Sequence, residues 1–270
     1  MSLTEMRNEV AATLDVLSAA KGALHVEASS ATWRLHALTG TDPYNIRYTP
    51  NRLRVHQRIV DRFLSSPDDI AEGSVVVATA GPPGAGKTAR LADLGYGLGW
   101  RRIDSDTFKR LLIEHDLRTG DLVMPDEVKE FVLADGKGIM PLELASLYHY
   151  ESTVIADMAK VACLTARENV IIEGTLSWDE LPTQIVDDIV THGYEKLDVV
   201  LVEAPRDVVL ERALQRWWAG RRAGGIGGRF TPSATIRNLY TTSTSTVCGR
   251  NARDLVKKAS AAQIAVELKK

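Results

Sequence analysis

The chain has 270 residues, with 33 lysines and arginines against 35 aspartates and glutamates, so its formal net charge is −2. This length suits one large α/β domain, or one domain with a small appendage. The near-neutral balance argues against a nucleic-acid-binding surface, and no nucleic acid is expected as a partner.

The cysteine content and the hydropathy of the sequence exclude several further classes of protein. Cys163 and Cys248 lie far apart in the sequence and give neither a disulfide framework nor the spacing of a zinc site. The first residues lack a basic region followed by an apolar core, and no apolar run approaches the length of a membrane span. We therefore expect a soluble, cytoplasmic protein that does not bind membranes.

The first part of the chain predicts a helical N-terminal extension over residues 1–70. Val10 and Leu14 recur at helical spacing within residues 1–22, and residues 51–64 predict a second helix with an apolar side. The stretch between the two helices contains breakers and has no clear period. The sequence assigns this extension no chemistry.

The stretch from Val75 to Thr88 carries the most specific pattern in the chain. The strand predicted at Val75–Val77 runs into a Gly-x-x-x-x-Gly-Lys-Thr sequence. Glycines let backbone N–H groups turn toward a phosphate, and the following helix points its positive end at the same anion. The pattern predicts an ATP site formed by Gly81, Pro82, Pro83, Gly84, Ala85, Gly86, Lys87, Thr88 and Ala89. In such a site the lysine reaches the β- and γ-phosphates and the threonine hydroxyl binds Mg²⁺.

Acidic residues follow two later predicted strands. Residues 100–103 lead into Asp104-Ser105-Asp106, and residues 170–172 lead into Glu173-Gly174-Thr175. Ligands collect at the carboxyl edge of an open parallel sheet, where an aspartate can hold the Mg²⁺ water shell or accept a proton. Capping of the next helix, predicted from Thr107, is the alternative for the aspartates.

The remaining elements complete an α/β pattern. Residues 118–141 predict a loop with a short helix, and residues 142–164 predict a long helix. Further along, the sequence predicts helix 181–192, strand 197–202 and helix 207–218.

After these elements the chain becomes rich in arginine and glycine, from Arg221 to Arg229. This composition suits a mobile lid over a triphosphate, with a solvated basic loop as the alternative. The last part predicts a helix over residues 251–259 without assigned chemistry.

Taken together, the elements predict a P-loop kinase fold with a mostly parallel central sheet flanked by helices. We expect a kinase domain over residues 71–240, with the arginine- and glycine-rich segment as its lid. Residues 241–270 are expected to form a helical tail packed on that domain.

Three segments of the chain resemble the zeta toxin family of toxin–antitoxin systems. They are Gly-Pro-Pro-Gly-Ala-Gly-Lys-Thr (81–88), Ile-Asp-Ser-Asp-Thr-Phe-Lys (103–109) and Ile-Ile-Glu-Gly-Thr-Leu (171–176). The segment from Arg216 to Arg229-Phe-Thr-Pro is similar in spacing to the lid of that family. The resemblance covers roughly residues 75–240.

The resemblance implies roles for individual residues. Lys87 and Thr88 match the residues for the ATP phosphates and Mg²⁺, and Asp106 matches the residue that deprotonates the sugar hydroxyl. Arg216 and Arg229 match the arginines that stabilise the transferring phosphoryl group. The expected substrate residues are Asp104, Asp106, Asp157, Glu173 and Thr175, and the expected metal ligands are Thr88 and Asp104.

Two positions depart from the family pattern. Asp157 stands where the family has a longer glutamate that contacts substrate. The glycines of residues 224–228 replace a more polar lid, which bears on lid geometry and substrate choice.

The resemblance also implies the activity. We expect transfer of the γ-phosphate of ATP to the 3′-hydroxyl of the sugar in UDP-N-acetylglucosamine, which would make the protein a toxin with an antitoxin as candidate partner. One alternative acceptor is the adenosine ribose of NAD. A second alternative is a nucleotide-dependent binding switch. A further hypothesis is that residues 1–22 cover the ATP site in cis.

Overall fold

The computed structural model describes residues 1–65 and 70–270. The chain forms two compact units, each assembled from three separate segments. We call the first the helical unit (Met1–Ile59, Asp106–Ile155 and Ala213–Thr235) and the second the sheet unit (Val60–Ser105, Ala156–Arg212 and Ile236–Lys270). The boundaries expected at residues 70 and 240 stay a prediction.

Helices and strands alternate over most of the described chain, with two 3₁₀ segments in its middle. In chain order they are α1 (Leu3–Ser18), α2 (Thr32–Leu35), β1 (Ala37–Thr39), β2 (Arg47–Tyr48), α3 (Pro50–Leu64), β3 (Val75–Ala80), α4 (Lys87–Asp93), β4 (Arg101–Asp104), α5 (Ser105–Thr119), the 3₁₀ segments Asp126–Val128 and Pro141–Tyr148, α6 (His149–Thr165), β5 (Val170–Glu173), α7 (Leu181–Thr191), β6 (Lys196–Leu201), α8 (Arg206–Ala223), α9 (Ser233–Arg237), α10 (Val247–Ala261) and β7 (Ala265–Lys269).

The sheet unit is built on five parallel strands in the order β4-β5-β3-β6-β7. Strand β3 lies in the middle and is buried along nearly its whole length, which fits its run of β-branched residues. Val77, Leu91, Ile171 and Val200 form a buried cluster that packs α4 against the sheet. The predicted parallel α/β fold is confirmed.

The register of β4 and β5 places the predicted acids side by side. Asp104 is the direct partner of Glu173 in this ladder, and both residues end their strands. The expectation that these acids share the carboxyl edge of the sheet is therefore confirmed.

Two element boundaries differ from the sequence prediction. The helix predicted over residues 142–164 starts as a 3₁₀ segment and becomes α-helical only at His149. Helix α8 continues past Trp218 to Ala223 and includes Gly220. Glycine is required at this position because a Cβ atom there would lie 2.6 Å from the Gly228 Cα atom.

The C-terminal tail forms α10, which contains the helix predicted over residues 251–259, and then continues as a strand that the sequence analysis did not predict. Residues Ala265–Lys269 add a parallel strand to the sheet beside β6. A strand of five residues with two charged side chains gives too short a pattern to be recognised without its neighbour. None of the helices in the described part of the chain combines the length and apolar character that a membrane span needs.

The N-terminal helix is packed into the helical unit. Val10 and Leu14 on α1 are fully buried, and the backbone N–H of Ser233 donates to Asp15 Oδ1 at 2.7 Å. The helix is therefore a structural part of its own unit. Its first turn is closed by a capping box between Ser2 and Glu5.

A buried ion network joins α3, α5 and α6 within the helical unit. The Arg52 guanidinium donates to Asp116 at 2.6 and 2.9 Å and to Glu151 at 2.5 and 3.0 Å. His56 Nε2 lies 2.5 Å from Glu151 Oε1, and the Tyr148 hydroxyl donates to Asp116. Burial acts to raise the pKa of Glu151, but the bonds from His56 and Arg52 outweigh it and lower the pKa.

We expect Arg52→Ala to destabilise the protein by about 3–5 kcal/mol, because it leaves the Asp116 and Glu151 carboxylates buried without their cation. Urea unfolding followed by circular dichroism measures this. Arg34→Ala is the matched control, since Arg34 pairs with Glu27 at 2.9 Å on the surface and its loss costs about 1 kcal/mol or less. Equal losses in the two variants would contradict this account.

Candidate functional site

The phosphate-loop candidate in the sheet unit has the backbone that its sequence predicts. Gly81, Gly84 and Gly86 have φ angles of 142°, 90° and 103°, which residues with a side chain rarely adopt. A Cβ atom at Gly81 would also lie 2.1 Å from the carbonyl oxygen of Val202, the residue that directly follows β6. The loop therefore requires glycine both for its turn and for its approach to the neighbouring strand.

Lys87 lies over this loop. Its ammonium group donates to the carbonyl oxygens of Gly81 and Pro82 at 2.8 and 3.0 Å. Helix α4 begins at Lys87. A lysine at the start of this helix can transfer its hydrogen bonds from the loop carbonyls to an anion in the loop.

Thr88 and Glu173 meet beside the loop. The Thr88 hydroxyl donates to Glu173 Oε1 at 3.3 Å, and Arg102 Nη2 donates to Thr88 Oγ1 at 2.8 Å. Arg102 also forms an ion pair with Glu173. The sequence analysis missed Arg102, although its position two residues before Asp104 puts both side chains on one face of β4.

The turn after β5 is tied to the loop by its backbone. The Thr79 hydroxyl donates to the Gly174 carbonyl oxygen and accepts from the Gly174 N–H, both at 3.0 Å. The Gly81 N–H donates to the Thr175 carbonyl oxygen at 3.1 Å. Thr175 is thereby brought to the loop through its main chain, while its hydroxyl lies 2.8 Å from that of Ser177.

Asp157 lies apart from these groups in its contacts. Its carboxylate pairs with Lys160 Nζ at 3.0 Å on the same helix, α6, and 69% of its side chain is exposed. Lys160 also pairs with Asp188 on α7 at 2.8 Å. A solvent-facing ion pair accounts for Asp157, and its contact with substrate stays a prediction.

The predicted metal ligands offer oxygen atoms that suit Mg²⁺. Thr88 supplies a hydroxyl and Asp104 a carboxylate, and Mg²⁺ binds through one or two such ligands together with phosphates and water. No ready-made group of three His, Cys, Asp or Glu side chains exists among residues 1–65 and 70–270. The oxygen ligands of Thr88 and Asp104 therefore fit a Mg²⁺ ion that binds together with a triphosphate.

In the helical unit, Asp106 is clamped by two cations. Its carboxylate accepts from Lys109 Nζ at 3.0 Å and pairs with Arg229 Nη2 at 2.7 Å. Burial acts to raise the pKa of Asp106, but the charges of Lys109, Arg229 and Arg216 outweigh it and lower the pKa to about 2. The structure thus gathers three predicted catalytic residues, Asp106, Arg216 and Arg229, into one charged group.

Lys109 and His149 belong to this group, although the sequence analysis gave them no role there. Lys109 follows Asp106 by three residues on α5, a helical spacing that was a usable signal. His149 is exposed as a residue, yet desolvation of its ring lowers the pKa to about 4, with the Lys109 and Arg229 charges acting in the same direction. The imidazole is therefore neutral at pH 7.

The glycine-rich segment before Arg229 packs against α8. A Cβ atom at Gly228 would lie 2.1 Å from the Trp217 carbonyl oxygen. Arg221, fully buried, anchors the end of α8 by donating to Asp135 and Glu143 at 2.7–2.8 Å. Close packing explains Gly228, while the opening of this segment as a lid stays a prediction.

Comparison with models of known protein families finds a match over most of the chain. The family model for the zeta toxin matches residues 60–263. The chain belongs to the zeta toxin family. Members of this family are kinases, so a zeta-toxin-like kinase fold is assigned to the chain. Comparison with curated protein sequences finds no match.

Solved structures with this fold include two of the AvrRxo1-ORF1:AvrRxo1-ORF2 complex. The structure with ATP is 16% identical, covers 88% of this chain and 71% of that chain, and has a TM-score of 0.56. The structure with sulphate ions is 17% identical, covers 88% and 72%, and has a TM-score of 0.54. The PezAT chromosomal toxin–antitoxin system of Streptococcus pneumoniae gives 15% identity, 84% and 79% coverage and a TM-score of 0.49. The TM-scores of the two AvrRxo1 structures establish likeness of fold alone.

We expect Lys109→Met to raise the pKa of Asp106 from about 2 toward the ordinary 3.8, because Lys109 is the strongest of the positive charges that lower this pKa. Titration of the carboxylate by ¹³C NMR measures this. Lys129→Met is the control, since Lys129 forms an exposed pair with Asp126 at the same three-residue spacing. An unchanged Asp106 titration in Lys109→Met would show that Arg229 and Arg216 alone hold the proton off.

Proposed function

We propose that the chain is an ATP-dependent kinase that transfers the γ-phosphoryl group to a hydroxyl of a nucleotide-linked small molecule. The proposed acceptor group is the 3′-hydroxyl of the sugar in UDP-N-acetylglucosamine. The observation that carries this proposal is the clamped Asp106: an ionised carboxylate held by Lys109 and Arg229, in a chain that also has a phosphate loop. A protein that only binds or hydrolyses a nucleotide needs no such carboxylate for a second substrate.

The phosphate loop and Lys87 hold the triphosphate in this proposal. Loop N–H groups and the Lys87 ammonium bind the phosphate oxygens, in place of the carbonyl contacts that Lys87 makes now. Thr88 and Asp104 are the residues that would hold Mg²⁺, which supplies neutralisation of phosphate charge when bound. Arg102 and Glu173 fix the Thr88 hydroxyl by hydrogen bonds.

Asp106 receives the acceptor hydroxyl. A carboxylate with a pKa of about 2 is a weak base, so its first contribution is to accept the hydroxyl hydrogen bond and orient the attacking oxygen. The loose transition state of phosphoryl transfer demands little proton removal before the bond to phosphorus forms. Asp106 therefore accepts the hydroxyl proton late, as the new oxygen–phosphorus bond forms and the bond between the γ-phosphorus and ADP breaks. Arg216 and Arg229 then stabilise the charge on the transferring group.

The antitoxin is part of the proposal as a partner. Membership of the zeta toxin family supports it, and the AvrRxo1-ORF1 structures of similar fold are complexes with a second chain, AvrRxo1-ORF2. The buried face of α1 favours a structural role for residues 1–22 over a blocking role in cis.

We expect the purified protein, given ATP and Mg²⁺, to add the mass of one phosphate to UDP-N-acetylglucosamine. Mass spectrometry of the products after separate incubations with the sugar nucleotide and with NAD measures this. A mass gain on NAD alone would keep the kinase and move the acceptor to the adenosine ribose. ATP binding with neither acceptor modified would favour the binding switch.

We expect Asp106→Asn to reduce phosphoryl transfer by about two to four orders of magnitude while ATP affinity stays near normal, because the amide keeps the shape and loses the charge. Steady-state turnover and ATP titration are the measurements. Asp126→Asn is the matched control, because Asp126 is an exposed aspartate paired with a lysine three residues later. Full turnover in Asp106→Asn would exclude this carboxylate and direct attention to Asp104.

A further inference from the structure

Arg102 lies against the Thr88 hydroxyl, which is one of the two oxygen ligands proposed for Mg²⁺. Its Nη2 atom donates to Thr88 Oγ1 at 2.8 Å, and its guanidinium also pairs with the Glu173 carboxylate through Nε and Nη2. The Thr88 hydroxyl in turn donates to Glu173 Oε1 at 3.3 Å. The three side chains thus form a closed set of contacts in which a cation joins a hydroxyl to a carboxylate.

The sheet explains why an arginine meets this hydroxyl. Arg102 and Asp104 are two residues apart on β4, so both side chains lie on one face, and Asp104 is the register partner of Glu173 on β5. The Arg102 side chain is 40% exposed, whereas the Glu173 side chain is 10% exposed. Of the two charged side chains, the arginine is therefore the one that has solvent beside it to turn into.

The contacts of Thr88 make its hydroxyl a poor ligand for a second cation. A threonine hydroxyl has one hydrogen and two lone pairs. In Thr88 the hydrogen is directed at Glu173, and one lone pair accepts from Arg102. A metal ion on the remaining lone pair would share this oxygen with the guanidinium, and two positive charges at such short range repel each other. Arg102 and Mg²⁺ therefore compete for one hydroxyl.

We propose that Arg102 is a built-in competitor of Mg²⁺ at the Thr88 hydroxyl, and that it releases this hydroxyl when the metal binds together with ATP. The inference rests on the proposed function for the role of Thr88 as a metal ligand. The negative charge of the triphosphate offsets the contact that Arg102 gives up, and free Mg²⁺ brings no such charge. Arg102 thereby makes metal binding conditional on the nucleotide.

The test measures nucleotide binding with and without the metal. A non-hydrolysable ATP analogue is titrated into full-length protein by isothermal calorimetry, once in excess Mg²⁺ and once in EDTA. Arg102→Met is compared with the wild type, and Arg102→Met/Glu173→Gln is compared with Glu173→Gln. The second comparison removes Arg102 without leaving a carboxylate unpaired, so it decides the question even if Arg102→Met alone fails to fold.

Arg167→Met is the control for the loss of one positive charge. Arg167 is exposed and lies in the sheet unit just before β5, at the opposite edge of the sheet from Thr88.

We expect removal of Arg102 to tighten binding of the analogue about three- to tenfold in excess Mg²⁺ in both comparisons, because a hydrogen bond to a charged group no longer has to be broken. In EDTA the same changes give no tightening, since no metal ion then needs the hydroxyl. Arg167→Met binds the analogue as the wild type does under both conditions.

The proposal is overturned if Arg102→Met binds the analogue in excess Mg²⁺ no more tightly than Arg167→Met does. It is also overturned if the tightening is absent in the Glu173→Gln background, because the effect then comes from a carboxylate that has lost its partner and attracts the metal. Tightening that persists in EDTA contradicts it as well, since the effect would not depend on the metal.

Failure of this proposal is separable from failure of the kinase proposal. An acceptor phosphorylated by the wild type, with no tightening in either comparison, keeps the kinase and rejects the competition. Tightening in both comparisons without any phosphorylated acceptor supports the competition and rejects the kinase. Absence of analogue binding to the wild type rejects both.

Discussion

The candidate phosphate loop and the acids beside it depend on one constraint, the parallel pairing of β4, β5, β3 and β6. Parallel strands bring their carboxyl ends to one edge, so the turn at Gly81, the carboxylates of Asp104 and Glu173, and the backbone of Thr175 collect there without any direct sequence proximity. The close contact of Gly81 with Val202 shows how tightly that edge is packed. A side chain at Gly81 would displace the loop from the strand that supports it.

The helical unit depends on buried cations instead. Arg52 and Arg221 are almost wholly buried, and each is neutralised by two carboxylates. Pairs of this kind add little net stability, because desolvation offsets most of their attraction. They do penalise every arrangement in which one partner is missing. Arg52 thereby fixes α3 against α5 and α6, and Arg221 fixes the end of α8 that leads into the glycine-rich segment.

The position of Asp106 and its ionisation have separate causes. Its position in the first turn of α5, directly after β4, follows from the strand-to-helix junction. Its ionisation follows from Lys109, Arg229 and Arg216, which come from a neighbouring turn and from a distant part of the chain. The carboxylate is thus charged well below neutral pH, and in the proposed reaction it would orient the hydroxyl more than it would act as a strong base.

The sequence by itself determined the local features of this protein. The phosphate loop is recognisable because its glycines and Lys87 have fixed spacing in one turn, and the central strands are recognisable from β-branched runs that end in acids. Those patterns were enough for the fold class and the family. They also placed Asp104 and Glu173 at the same edge of the sheet, since the sheet-edge rule needs only the ends of two strands. The pairing of β4 with β5, which makes the two acids neighbours, came from the structure.

Only the tertiary structure decided which distant side chains meet. Arg229 reaches Asp106 across more than a hundred residues, and Arg52 reaches Glu151 across 99, without a local pattern to announce either pair. The last strand, β7, needs β6 as its partner before its five residues differ from an irregular tail. The rings of Tyr44 and Tyr150 likewise come into contact only through folding. Contacts of this kind depend on three-dimensional packing, and packing leaves no fixed spacing in the sequence.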